Sequence, residues 1–201
     1  MRFSIIIPAH NAENHIRKNL DMIKAQTFTD YELIVVCDNC TDKTEEIAKE
    51  YGAITKEVHF GRDGLTRNTG IDMAKGEWLL FLDDDDWWLH EFVLEQLDEK
   101  LKESGNIDIL AFSFIFKHWK YAKPEGNNGC HWIAVWNKCW RREFVGETRF
   151  SDRWSKSDLD FHYRIMARQP KILDWDMPLY YYNYMREGSI SDMDRRRIPH
   201  G

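Results

Sequence analysis

Four short apolar runs, each followed by a helix-like segment, occupy the first hundred residues and leave this chain few folds to choose from. Residues 3–7 form an apolar run that Pro8 ends, as expected of a strand buried on both faces. Asn14 stands where it can cap a helix running to about Ala25, with Ile16, Leu20 and Ile23 on one face. Strand-like runs follow at residues 32–36, 53–58 and 78–82. Helical patterns follow at 44–51, 65–74 and 89–102, with Gly76 as the stop signal of the second of these. This βαβαβαβ order predicts an α/β fold, a mostly parallel central sheet flanked by helices in the Rossmann-like manner.

The pattern changes after Ser104, Gly105 and Asn106. A strand is expected at 107–116, a polar loop at 121–129, a helix at 157–168 and a last strand at 178–184. The stretch up to Asp152 is rich in Trp and Arg and has no clear period. No linker separates the halves, so residues 1–201 are read as one domain, with a second half (105–201) packed on the first (1–104). Hydrophobic residues make up 43% of the chain, enough for a proper core, which excludes a disordered chain. A net charge of -6 argues against nonspecific nucleic-acid binding, which needs a basic face. The apolar runs fall far short of the ~20 residues that span a bilayer, and Met1 to Ser4 show no leader-like character. A cytoplasmic protein is expected, with peripheral contact at the inner face of the membrane compatible with the same features. Cys37 and Cys40 form a CxxC, but Cys130 and Cys139 have the wrong spacing to complete a zinc knuckle, so reduced thiols are expected.

The polar residues that follow the four early strands carry the chemistry. In a parallel sheet all carboxyl ends lie on one edge, and ligands bind in the crevice beyond it. Residues 8–13, 37–39, 59–62 and 83–86 are therefore expected to converge there. Asp83, Asp84, Asp85 and Asp86 repel one another, and a hard divalent cation bridging to phosphate oxygens would relieve them. In an extended segment Asp83 and Asp85 face one way, Asp84 and Asp86 the other. The same run also reads as a solvated acidic turn before the next helix. No P-loop and no GxGxxG follows the first strand, so diphosphate charge would fall to metal and to basic side chains, of which Arg62 and Arg67 are near. Arg67 reads equally as a surface helix residue.

SIIIPAHNAE at residues 4–13 resembles the opening of the inverting glycosyltransferases of family 2. QTFTDYELIVVCDNCTDKT at 26–44 is similar to that family's second block, and GLTRNTGIDMAKGEWLLFLDDDDWW at 64–88 to its third, which holds a DxD motif. WNKCWRREF at 136–144, SDLDF at 157–161 and LYYYNYMREGSIS at 179–191 resemble later blocks of bacterial polysaccharide and cell-surface members. The resemblance implies a nucleotide-diphospho-sugar transferase fold, a nucleotide-sugar donor (a UDP-sugar), a divalent metal (Mn²⁺ or Mg²⁺) and a saccharide, lipid-linked or protein acceptor. It places Asp38 on the base, with Pro8, Ala9, Asn11 and Glu13 lining the nucleoside side. Asp83 and Asp85 match the DxD positions, Asp85 as a direct metal ligand, with Asp83 and Asp84 beside the nucleotide. Asp158 matches the catalytic base. His10 stands where the family often has Tyr, Cys40 where a small residue is common, and Ser157 where Glu often precedes the base.

Without the resemblance, Asp158 reads as a charge at a helix N-terminus. Asp160 lies ~200° away around that helix, so the two cannot both face one pocket. The implied chemistry is a single displacement: a carboxylate deprotonates an acceptor hydroxyl, which attacks and inverts the anomeric carbon. Nine tryptophans suggest sugar-stacking surfaces, with core packing as the reading for most of Trp132, Trp136, Trp140 and Trp154, and Trp87 and Trp88 open to either. Two other functions remain: a sugar-nucleotide nucleotidyltransferase, which would want a glycine- and Lys/Arg-rich loop where residues 8–13 have no glycine, and an inactive carbohydrate-binding homologue.

Overall fold

The computed structural model describes residues 1–117, 119–125, 131–153 and 156–184. Trp154, Cys130 and the end of the last block lie outside them. The donor-side half alternates as expected: β1 (Phe3–Ala9), α1 (Ile16–Lys24), β2 (Tyr31–Asp38), α2 (Thr44–Glu50), β3 (Ile54–Val58), α3 (Asp63–Met73) and β4 (Trp78–Phe81). β3, β2, β1 and β4 lie side by side in that order, all parallel. Then come β5 (Trp87–Trp88), α4 (Val93–Glu103), β6 (Ile109–Phe116), β7 (Lys120–Ala122), β8 (Lys138–Arg141), α5 (Arg142–Val145), α6 (Ser157–Met166) and β9 (Ile172–Tyr182). Among the described residues these strands continue the same sheet: β8 joins β4 antiparallel, pairing Leu79 with Trp140, and β6, β9 and β5 follow.

The period-two alternation of the strands divides the core between the two sheet faces. Ile5, Ile7, Leu33, Val35 and Leu80 pack with α1 and α4 through Ile16, Leu20, Val93 and Leu97. Ile6, Ile34, Val36, Leu79 and Phe81 pack with α3 and α6 through Ile71, Phe161 and Ile165. Among the described residues no helix is long and apolar enough to cross a membrane.

Several boundaries differ from the sequence reading, each for a local reason. Pro8 does not end β1, which pairs through Ala9 with Cys37 of β2. The Ile6 carbonyl faces β4 and accepts from Leu82, and Pro8 faces the same way after β4 has ended, so its lost N–H breaks no ladder bond. Asn14 does not cap α1; His15 holds that position without a side-chain cap bond. Gly76 does not stop α3, which closes at Ala74 in extended conformation. Gly76 serves close approach instead, since a Cβ there would meet Ser4 N at 2.5 Å and Phe3 C at 2.6 Å. Leu89 does not begin a helix, because its N–H bonds to Leu179 O of β9. Tyr121 and Ala122 are not loop but part of β7, paired with β6. The last strand begins at Ile172, six residues before the expected Pro178, because it pairs along the full length of β6.

Candidate active site

The loops after β1, β2 and β3 are tied together by side chain to backbone bonds. Asp38, at the end of β2, is buried. Among the described residues five donors converge on its carboxylate. Phe60 N–H (2.8 Å), Gly61 N–H (2.9 Å) and Asn39 Nδ2 (3.0 Å) reach Oδ1, and Arg62 N–H (3.0 Å) and Thr66 Oγ1 (2.8 Å) reach Oδ2. A carboxylate offers about four lone-pair positions, so Asp38 is saturated by its own chain. Asn11, with φ of 47°, accepts from Thr41 N–H at 2.8 Å. Glu13 accepts from Lys43 N–H at 3.1 Å and donates its own N–H to Asp42 at 3.0 Å. Ala9 accepts from the Cys40 thiol at 3.4 Å. Pro8, Ala9, Asn11, Glu13 and Asp38 thus share the carboxyl edge of β1 and β2, where they were expected, but the polar side chains among them brace the two loops.

The acidic run is a turn rather than an extended segment: Asp86 N–H bonds to Asp83 O at 3.2 Å. The expected alternation of faces therefore fails, and the carboxylates scatter. Asp83 points at α3. Asp84 accepts from His10 N–H at 3.3 Å and lies 3.1 Å from His15 Nε2. Asp85 is half-buried within the turn. Asp86 is fully buried, with the Tyr180 hydroxyl 2.6 Å from Oδ2 and Asn183 N–H 2.7 Å from Oδ1. Burial, then Asp83 and Asp85, hold its carboxyl well above the usual range, and its bonds to Tyr180 and Asn183 anchor the turn to β9 and the residue after it.

Arg67 is the centre of the site and not a surface residue. Its buried guanidinium reaches Asp63 Oδ2 at 2.6 Å, Asp83 Oδ1 at 2.7 Å and Asp158 Oδ1 at 3.5 Å. Burial opposes its charge, but Asp158, Asp83 and Asp63 outweigh this and hold it well above its ordinary value. One cation is shared by three carboxylates, so charge is under-compensated. Burial is the main cause that pushes Asp83 up to about 7, with Asp158 and Asp85 adding to it and Arg67 opposing. Burial likewise raises Asp158 against the pull of Arg67. Gly64 makes this meeting possible, since a Cβ there would stand 2.8 Å from Ser157 Cβ and force α6 away from α3. Asp160, as expected, points elsewhere and pairs with Arg164 at 2.9 Å. Arg62 caps α3 in extended conformation and turns its side chain to Gly61 O at 2.9 Å and Asp152 at 3.4 Å.

Asp63 and Tyr180 were overlooked in the sequence. Asp63 stands four residues before Arg67 in one helix, the spacing at which opposite charges pair, and could have been found by it. Tyr180 lies 94 positions from Asp86 and carries no local signal. Of the eight tryptophans among the described residues, Trp78, Trp88, Trp136 and Trp140 are buried core, whereas Trp132 is exposed. Trp87 is half-buried, stacked on Tyr181 at 4.4 Å with Lys18 Nζ 3.0 Å from its ring centre.

The donor set suits a hard cation. Asp83 and Asp85 would be the carboxylates to hold it, beside unneutralised negative charge, although no group of three or more His, Cys, Asp or Glu among the described residues could hold a metal alone. An incomplete shell of this kind fits a cation whose remaining ligands are phosphate oxygens and water.

The sequence model described as Glycosyl transferase family 2 matches residues 4–171. Among curated relatives, Glycosyltransferase GlyA of Streptococcus pneumoniae serotype 4 is 27% identical over 94% of this chain, which spans 31% of that protein's length. Among solved structures, Staphylococcus aureus TarS 1-349 in complex with UDP-GlcNAc superposes with a TM-score of 0.81 at 24% identity, covering 96% of this chain and 61% of that one. The mannosyltransferase PcManGT of Pyrobaculum calidifontis, in complex with GDP-Man and Mn²⁺, superposes with a TM-score of 0.75 at 16% identity, covering 97% of this chain and 60% of that one. At these identities the structures speak for the fold, that of nucleotide-sugar transferases.

Proposed function

The chain belongs to glycosyl transferase family 2, and from that membership we propose that it moves a sugar from a UDP-sugar to an acceptor hydroxyl, with inversion and with a divalent cation. The observation that carries this reading is the shared guanidinium of Arg67. Through it the aspartate ending β4 and the aspartate opening α6, 75 positions apart in sequence, meet beyond the sheet's carboxyl edge. Residues 1–104 form the donor side and 105–201 the acceptor side of one unit. The UDP-GlcNAc bound by TarS supports a uridine nucleotide, and the Mn²⁺ bound with GDP-Man in the mannosyltransferase supports a metal.

Asp83 and Asp85 would hold the cation, which would neutralise the diphosphate of the leaving group. Asp158 takes the proton of the acceptor hydroxyl. Its raised pKa, caused first by burial, makes it a stronger base than a solvated carboxylate once ionised. The attack by that hydroxyl is a single displacement, and no second carboxylate nucleophile is needed. Pro8, Ala9, Asn11 and Glu13 shape the nucleoside side, with Asp84 beside the nucleotide. Asp38 holds that wall in place, because all its acceptor positions are filled. The acceptor is a saccharide, free, lipid-linked or carried on protein.

A panel of UDP-sugars with Mn²⁺, scored by UDP release, tests the reading. Asp158→Asn keeps the shape and removes the basicity. Its turnover should fall by about 10²–10⁴ with UDP affinity unchanged. Wild-type turnover in that variant, beside a dead Asp160→Asn, would move the base by two residues. Asp85→Ala should abolish Mn²⁺-dependent UDP binding and leave the thermal midpoint unchanged or higher, because one carboxylate fewer relieves the repulsion. Unaltered metal-dependent binding would remove Asp85 from the site.

A further inference from the structure

Lys138 is a cation that the mechanism above does not use, and it is fully buried in β8. Burying an ammonium is costly unless its donors are matched. Here its three N–H donors meet three acceptors: Trp132 O at 2.7 Å, Ala134 O at 2.7 Å and Asn137 Oδ1 at 2.8 Å. All three acceptors belong to the segment 132–137 that enters β8, so the side chain closes that segment into a clamp around its own root. Val135 lies inside the clamp. Its carbonyl accepts from Trp140 Nε1 at 2.9 Å, and its side chain is buried in the same cluster as Phe161 and Ile165 of α6. The clamped segment is thus pressed against the helix that opens with Ser157 and Asp158.

We propose that Lys138 is a positioning residue for the base: its ammonium fixes segment 132–137, and the segment holds Val135 against α6 beside Asp158. The inference rests on Asp158 being the base. Two further observations agree with it. The Val135 backbone N–H and the Lys138 charge both favour the ionised form of Asp158. Asp158 in turn opposes the burial that pulls Lys138 down to about 7. The clamp also reaches the acidic turn, since Trp136 stacks on Tyr180 at 4.7 Å and the Tyr180 hydroxyl holds Asp86.

The test is a double-mutant cycle on the full chain, below the unfolding temperature of every variant, with the UDP-sugar that gives the fastest UDP release. Lys138→Met should lower kcat at least tenfold while donor KM and UDP affinity stay within twofold. With kcat referred to the folded fraction, a loss of stability alone would leave both kcat and KM unchanged. In the Asp158→Asn background the same change should lower the residual turnover less than twofold, because the group through which Lys138 acts is gone. Wild-type kcat in folded Lys138→Met, or an equal loss in both backgrounds, overturns the proposal while leaving a dead Asp158→Asn as the base assignment. Wild-type turnover in Asp158→Asn overturns both. Should Lys138→Met not fold, Lys138→Gln, which keeps two donors and loses the charge, is read by the same criteria.

Discussion

Two carboxylates at the carboxyl edge of the same sheet do opposite things. Asp38 ends β2 and Asp83 follows β4, with β1 between them. Asp38 receives five donors from residues 39, 60, 61, 62 and 66. Asp83 shares one guanidinium with Asp63 and Asp158 and is pushed up to about 7, first by burial. A carboxylate whose acceptor positions are filled by fixed backbone N–H groups is an anchor. One that competes for too little positive charge is poised to take a cation or a proton. The edge of the sheet therefore has a braced side and an electrostatically under-satisfied side, and the proposed chemistry belongs to the second.

The hardest blow to this contrast is Arg67→Leu. It leaves three carboxylates without their shared cation in a buried site, which should cost about 3–5 kcal/mol of stability in urea unfolding at neutral pH. The loss should shrink at low pH. Asp83 has its folded pKa raised to about 7, above its ordinary value, so the stability tied to its protonation is present in acid and is lost as pH rises through 7. Arg67→Leu should thus be more stable at pH 5.5 than at pH 8, and a flat profile would show that the three carboxylates are not coupled through Arg67.

Asp38→Ala sharpens the other side. Removing an acceptor for five donors should cost about 2–4 kcal/mol of stability, since buried N–H groups lose their partner. Isothermal titration separates the roles: an anchor loses affinity equally for UDP and for a base-free diphosphate, and a base-reading residue loses it for UDP alone, by ~1–3 kcal/mol.

The smallest effect is expected at His162, one turn beyond Asp158 in α6. Burial, then Lys138 and His131, bring its pKa down to about 4. A depressed folded pKa contributes stability that is present above the ordinary 6.5 and lost as pH falls toward 4. Between those limits wild type should lose a few degrees of thermal midpoint that His162→Gln does not. Parallel declines in the two proteins would mean that other groups govern the acid limb.

Much of this was legible in the chain. The parallel run of four strands, the edge where their loops meet and the places of Asp38 and Asp83 on it follow from local periodicity, because side-chain direction along a strand or helix is set by the backbone within a few residues, whereas Asp158 is marked out by the family resemblance alone. The role of each residue at that edge was not legible. Asp83 to Asp86 alternate only if extended, and the bond from Asp86 N–H to Asp83 O turns them. Arg67 reads equally as a site cation and as a surface helix residue until Asp158, 91 positions later, comes beside it. Lys138 lies in a stretch without a clear period, and only the fold brings the segment before it back onto its ammonium. Sequence periodicity determined where charge is brought; only the tertiary packing decided which charges are satisfied, because the desolvation of a carboxylate and the donors that offset it arrive from segments far apart in the chain.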